Sequence, residues 1–322
     1  MAPSLSADER LNWLRLARSR RVGPATFFRL MEQHGSAGAA LAALPGIAAS
    51  AGIKAYAPCP KAAAMAEHAA GIRAGARLVC FGERGYPQRL TDLSDPPPCL
   101  WIRGDAAAAD RGGVALVGAR NASALGLRMA EVLARDLAAA GLPVISGLAR
   151  GIDTAAHRAG LAARTVAVLA GGVDCIYPRE NTTLADEICA SGALLSEMPV
   201  GLVAQARHFP RRNRIISGLA DAVVVVEGAA RSGSLITARL ALDQGREVMA
   251  VPGHPFDARA AGSNSLIRDG AILVRSAADI VEALTGARPD RAVPKASTED
   301  GPRPAAGVRS RDGPVSGEDR GP

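Results

Sequence analysis

Between residues 113 and 284 the chain alternates short aliphatic runs with longer amphipathic ones. The short runs lie at 114–117, 144–145, 166–169, 193–195, 223–226, 248–251 and 272–274, and none has polar alternation inside it. Strands of this kind are buried on both faces, as in parallel sheets. Helical periodicity fills the intervals at 125–140, 154–163, 181–191, 212–218, 234–244 and 277–284. Strands alternating with helices, joined by right-handed crossovers, predict an α/β fold: a Rossmann-like, doubly wound, mostly parallel sheet.

The pattern changes outside this region. Residues 1–76 read as a small all-α domain of helix-hairpin-helix or sterile-alpha-motif type. There Leu11, Leu14 and Leu16 lead into a Val22-Gly23-Pro24 turn, and the apolar period resumes at Phe27, Phe28, Leu30 and Met31. A second turn is expected at Leu44-Pro45-Gly46-Ile47. Residues 77–112 read as a connector that packs on the next domain, with apolar stretches at 78–81 and 99–102 suited to edge strands. The Rossmann-like domain then spans 113–286. Residues 287–322 are rich in Pro, Gly, Ser, Arg and Asp without a hydrophobic period, the composition of a disordered tail.

Charge narrows the partner. A formal net charge of +7 favours a polyanion held by phosphate neutralisation. Aromatics make up only 3% of residues, so any base stacking must rest on very few side chains. The five cysteines are scattered without a C-x-x-C pair, which argues against zinc or redox motifs and suits a reducing cytosol. No apolar leader and no run of about 18 apolar residues is present, so a cytoplasmic protein without a membrane partner is expected.

Ligands of open parallel sheets bind at the carboxyl ends of the strands. Five loops there carry candidate chemistry. The first holds Gly118, Arg120 and Ser123 ahead of a helix; it is neither G-x-G-x-x-G nor a Walker A loop, so no nucleotide cofactor is expected. Its other reading is an ordinary glycine turn. The second holds Ser146, Gly147, Gly151 and Asp153, with His157 one turn later; Asp153 reads equally as a helix cap. The third holds Gly171, Gly172 and Asn181, a phosphate loop or a turn plus cap. The fourth, Phe209-Pro210-Arg211-Arg212-Asn213-Arg214, places arginines and Asn213 around one aromatic, where they would face solvent and grip phosphates. The fifth, Ser232-Gly233-Ser234, opens a helix and offers an anion cradle.

Taken in order, these loops resemble the DprA/Smf family. The resemblance runs from Trp13 to Leu284, and its most specific segments are Ser146 to Asp153 with Ala155-Ala156-His157, and Phe209 to Leu219. It implies a helical domain before an extended Rossmann fold, sequence-tolerant single-stranded DNA binding without catalysis, dimerisation through the Rossmann domain, and delivery of DNA to RecA during natural transformation. It also implies that Arg120 binds phosphate, that Phe209 through Arg214 form a basic DNA-binding segment, and that Gly147, Gly151, Gly171 and Gly172 shape the pocket. Many members add a C-terminal winged-helix-like domain, for which residues 287–322 give no pattern. A second reading is a nucleotide-processing enzyme of the lysine-decarboxylase-like Rossmann group, with Glu227 as its carboxylate. The loop from Gly228 to Ser234 lacks that group's Gly-Gly-x-Gly-Thr spacing.

Overall fold

The computed structural model describes residues 5–286. The expected tail at 287–322 lies outside the described residues.

Four helices come first: α1 (Ala7–Arg18), α2 (Pro24–His34), α3 (Ala37–Ser50) and α4 (Lys61–Arg73). Gly23 and Pro24 sit at the N-cap and first position of α2, as the hairpin turn predicts. The second expected turn is absent. Pro45 lies inside α3, which runs straight through it. The segment is rich in Ala and Leu, the best helix formers, and Leu41, Leu44 and Ala48 fall on one buried stripe that holds the helix across the proline.

The connector supplies two strands, β1 (Ala76–Cys80) and β2 (Cys99–Gly104), followed by the short α5 (Ala106–Asp110). The rest alternates as the pattern predicts: β3 (Val114–Gly118), α6 (Ala124–Ala139), β4 (Val144–Ser146), α7 (Ile152–Gly160), β5 (Val166–Val168), α8 (Thr182–Ser191), β6 (Ala193–Ser196), α9 (His208–Leu219), β7 (Ala222–Glu227), α10 (Gly233–Asp243), β8 (Glu247–Ala250), α11 (Ala261–Arg268), β9 (Ile272–Leu273) and α12 (Ala277–Thr285). Helix α11 has no counterpart among the expected elements, because its sequence is mostly small and polar.

All nine strands form one sheet in the order β1-β2-β6-β5-β4-β3-β7-β8-β9. From β6 to β9 the pairing is parallel; β1 and β2 add an antiparallel edge. The parallel part of the sheet starts at β3, builds outward through β4, β5 and β6, then returns to the other side of β3 with β7, β8 and β9. The topological switch point therefore lies between the carboxyl ends of β3 and β7.

Strand parity divides the core into two faces. Ala115, Val117, Val223 and Val225 point to the face covered by α9 and α10, where Ile215, Ile216, Leu219 and Ala238 meet them. Val114, Leu116, Ala222 and Val224 point to the opposite face, under Leu133 and Leu137 of α6 and Ile280 of α12. That second face continues toward β1 as a cluster joining Leu14, Phe27 and Leu30 to Leu78, Trp101 and Leu194. The N-terminal helices are thus not an independent bundle: they share a core with the sheet.

Polar ties fix this junction. Arg10 pairs with Glu83 after β1. Arg18 grips Glu67 of α4 and also donates to the Glu197 carbonyl, while the Trp101 indole N–H donates to the same Glu67. Gly71 of α4 lies against the Trp101 ring, and a Cβ there would fall 2.2 Å from Cζ3.

Gly71→Ala should therefore lower stability by about 1–3 kcal/mol, against an intrinsic helix gain of about 1 kcal/mol. In a Trp101→Leu background, where the clash is gone, the same substitution should raise stability. Urea denaturation of the four proteins checks the reversal of sign.

Candidate nucleic-acid interface

A cleft of about 280 Å³ opens at the switch point. Gly118 and Arg120 line it from the β3 loop, Ala149 and Asp153 from the β4 loop, Phe209, Arg212 and Asn213 from α9, and Ser232, Gly233, Ser234 and Thr237 from α10 and its cap. The structure thus brings together members of four of the five loops.

Arg212 sits at the centre. It is 4% exposed, and its Nη1 donates to the carbonyls of Gly147 (2.7 Å) and Val168 (2.6 Å) at the ends of β4 and β5. Nε donates to Asn213 Oδ1. Nη2 has no hydrogen-bond partner among the described residues, and the residue lines the cleft. Burial lowers the guanidinium pKa to about 10, with Asp153 opposing the shift and Arg120 adding to it, so it stays a cation at neutral pH. Gly147 must be glycine here, since a Cβ would fall 1.8 Å from Arg212 Nη1.

This corrects the expectation that the arginines of α9 face solvent. Arg212 precedes Ile216 by four residues and Leu219 by seven, so it shares their buried stripe. Arg214 is also buried: its guanidinium pairs with Asp95 through Nε and with Glu197 through Nη2. Arg211 is half-exposed but pairs with Glu197 as well. Neither Arg211 nor Arg214 lines the cleft, since both charges are already matched by carboxylates.

Arg120 is exposed, has no ion pair among the described residues, and lies over the Phe209 ring at 4.3 Å from its centroid. Phe209 is half-buried rather than exposed. Tyr177, from the third loop, packs edge-on against it at 6.0 Å. Ser232 caps α10 by accepting from the Ser234 amide, and the first turn of that helix forms the opposite wall, a favourable setting for an anion.

The second loop is built to hold this geometry. Asp153 is buried and accepts from the Gly147 and Ala149 amides, closing the loop on itself. Burial raises its pKa, opposed first by the charge of Arg212. Leu148 takes φ of +55°, a strained setting for a bulky residue. Its carbonyl accepts from Asn181 Nδ2, which also donates to Thr154. Gly151 has φ of +75° and meets the Ala119 and Arg120 carbonyls, so it docks this loop on the first.

Several candidates do not line the cleft and make structural contacts instead. Ser146 is buried and donates to the Leu116 carbonyl. Asn181 is buried in its clamp. Gly171 and Gly172 admit the backbone of residues 199–204, where any Cβ would collide with carbonyls. Ser123 caps α6, and the Glu227 carboxylate accepts from its amide and hydroxyl. Glu227 therefore occupies the helix N-terminus that binds phosphate in dinucleotide-binding relatives of this fold, and its hydrogen-bonding capacity goes to capping.

His157 has a different fate. It is fully buried, with Nδ1 2.8 Å from Thr165 Oγ1, whose hydroxyl donates to the Val144 carbonyl. Burial, then the nearby Arg212 charge, lowers its pKa to about 3, so the ring is neutral.

An open α/β sheet with a cationic, aromatic-lined cleft at its switch point is a Rossmann-like architecture, and such a cleft suits an anionic ligand. Profile comparison is specific. Residues 77–285 match the family described as DNA recombination-mediator protein A, and residues 7–70 match the DprA-like N-terminal HHH domain. The chain is 46% identical to the DNA processing protein DprA of Bacillus subtilis over 65% of this chain and 72% of that protein. DprA from Streptococcus pneumoniae superimposes with a TM-score of 0.69 at 32% identity, covering 87% of this chain and 98% of that one. DNA processing protein A from Helicobacter pylori, a structure describing its single-stranded DNA binding mode, gives 0.60 at 28% identity over 66% of this chain and 97% of that one. The chain belongs to the DNA recombination-mediator protein A (DprA/Smf) family.

The depressed His157 pKa fixes a pH dependence. The unfolded histidine titrates near 6.5 and the folded one near 3, so the unfolded state takes up the proton first and stability falls as pH drops below about 6.5. By pH 5 the loss attributable to this residue should be on the order of 2 kcal/mol. Denaturation midpoints at pH 7.5 and pH 5 for wild type and His157→Gln measure it: the variant should lose less on acidification.

Proposed function

We propose that this protein binds single-stranded DNA in the switch-point cleft and passes it to RecA in transformation and recombination, acting without catalysis and as a homodimer through its Rossmann-like domain. The observation that carries the DNA-binding reading is the Arg120–Phe209–Arg212 arrangement. It sets two cations and one aromatic face within a single cleft, beside a helix N-terminus. Arg120 and the free side of Arg212 hold adjoining phosphates, and Phe209 meets a base or sugar. None of these interactions reads base identity, so binding tolerates any sequence. The Helicobacter pylori relative's single-stranded DNA binding supports the ligand class. Delivery to RecA and dimerisation rest on the family resemblance.

The nucleotide-enzyme reading lacks support in the geometry. Glu227, its one carboxylate, caps α6 through Ser123. Asp153 is buried on the Gly147 and Ala149 amides, and His157 is fully buried with its Nδ1 on the Thr165 hydroxyl, outside the cleft lining.

Arg120→Ala should weaken oligothymidine binding about tenfold or more at low salt, and should flatten the dependence of log K on log salt by about 0.7 for each phosphate no longer neutralised. Phe209→Ala should weaken binding by about fivefold or more without changing that slope. Fluorescence anisotropy across a salt series reads both. Wild-type affinity that ignores salt, or survives Arg120→Ala, would remove the DNA from this cleft.

A further inference from the structure

A second cleft, of about 450 Å³, lies on the other flank of the β3 loop. The segment from Gly118 to Gly126 is the ridge between them: Gly118 and Arg120 line the first cleft, Ser123, Leu125 and Gly126 the second. Arg120 and Ser123 are three residues apart, so their Cα atoms are separated by at most about 10 Å. The far wall is the loop after β8, where Val251, Pro252, Gly253 and His254 meet Met129 and Val132 of α6.

Phe256 sits in the same loop, between His254 and Asp257 of the cleft lining, and at 94% exposure is the most exposed large hydrophobic side chain among the described residues. In a chain with five phenylalanines, a ring left in water forfeits burial that a core position would use. The ring is not on a loose loop. The Phe256 amide donates to His254 Nδ1, the Asp257 amide to the His254 carbonyl, and the Arg259 side chain pairs with Asp257. Asn264 of α11 clamps Gly253 through both its amide and its carbonyl. The imidazole of His254 lies 5.6 Å from the Phe256 centroid at an interplanar angle of 41°. Arg128, on the α6 side, lines the cleft and is exposed, without an ion pair among the described residues.

A planar aromatic held out on a pinned loop, packed on His254 of a largely apolar cleft that an unpaired Arg128 also lines, matches the recognition of a nucleobase and its phosphate. We propose that Phe256, with His254, forms a second base-stacking station for the same DNA strand, which crosses the Gly118–Gly126 ridge from the Arg120 cleft, with Arg128 on the intervening backbone. The inference rests on the DNA-binding reading above and adds a direction and a length to it: a short oligomer fills the first cleft alone, while a longer one reaches Phe256.

The test compares oligothymidines of about 5 and about 20 nucleotides, the range of single-stranded site sizes, by anisotropy on the full chain. Phe256→Ala should leave the short oligomer's affinity unchanged and weaken the long one by about fivefold or more, with Phe256→Trp restoring it. Equal affinities of wild type and Phe256→Ala for the long oligomer overturn the station, as does an equal loss for both lengths. A shift in oligomeric state with unchanged long-oligomer affinity also overturns it, by giving the patch to a second copy of this chain. Arg120→Ala, run in parallel on the short oligomer, reports on the first cleft independently, so that failure of the underlying reading is seen as undiminished short-oligomer binding there.

Discussion

The guanidinium of Arg212 is the constraint on which the cleft depends. It plugs the carboxyl ends of β4 and β5, where two strand carbonyls project with no further strand residue to bond them. A buried cation is costly unless its donors are matched. Here Nη1 is matched by carbonyls, Nε by Asn213, and the charge by Asp153. One nitrogen is left for a ligand. The same group that closes the sheet end therefore presents charge to the cleft. The glycine at 147, the internal hydrogen bonds of Asp153 and the strained Leu148 are all ways of fitting a loop around it.

Burial gives this cation a different character from its neighbour. Arg120 sits in water and is held only by the Phe209 face, so salt screens it and it is free to adjust its position. Arg212 is fixed and partly desolvated, so it cannot be repositioned without opening the β4 loop. The cleft thus combines a rigid charge with an adaptable one, an arrangement suited to a ligand whose backbone charge is regular and whose bases vary. The acidic partners of Arg211 and Arg214 perform the opposite task, converting two cations of a basic segment into struts between α9, the β6 loop and the segment holding Asp95.

Most of the fold was legible in the sequence because aliphatic runs alternate with helical periodicity, which marks a doubly wound parallel sheet; the strand order came only with the structure. The site was legible less evenly. Gly118, Arg120, Phe209 and the Ser232 cap could be placed because ligands of such sheets gather at strand ends. The basic run in α9 misled, because charge outweighed periodicity: Arg212 and Arg214 look solvent-facing by type, yet the spacing of Arg212 to Ile216 and Leu219 already puts it on the core stripe. Asn181, Ser146, Gly171 and Gly172 were grouped with the ligand residues for standing in loops. Tertiary partners far along the chain, Leu148, Leu116 and the 199–204 backbone, decide otherwise, and no local pattern announces them. The joining of the helical module to the sheet was hidden for the same reason, since Trp101, Glu67 and Arg18 come from three separated segments.

Glu227 closes the phosphate site that a fold of nucleotide-binding type usually offers. In dinucleotide-binding sheets the first helix after the switch point receives a pyrophosphate. In this chain β7 ends in a carboxylate that bonds the Ser123 cap of that helix, so the position carries negative charge from the protein itself. An incoming phosphate is repelled from the top of α6 and must settle to one side. The first cleft, walled by α9 and α10, offers Arg120, Arg212 and a second helix N-terminus; the flank beyond the ridge offers Arg128 and a largely apolar cleft beside the loop that carries Phe256. A charge placed in the middle of the rim thus turns one nucleotide pocket into two flanking surfaces, which suits a polymer that passes over the rim better than a small molecule that must sit within it.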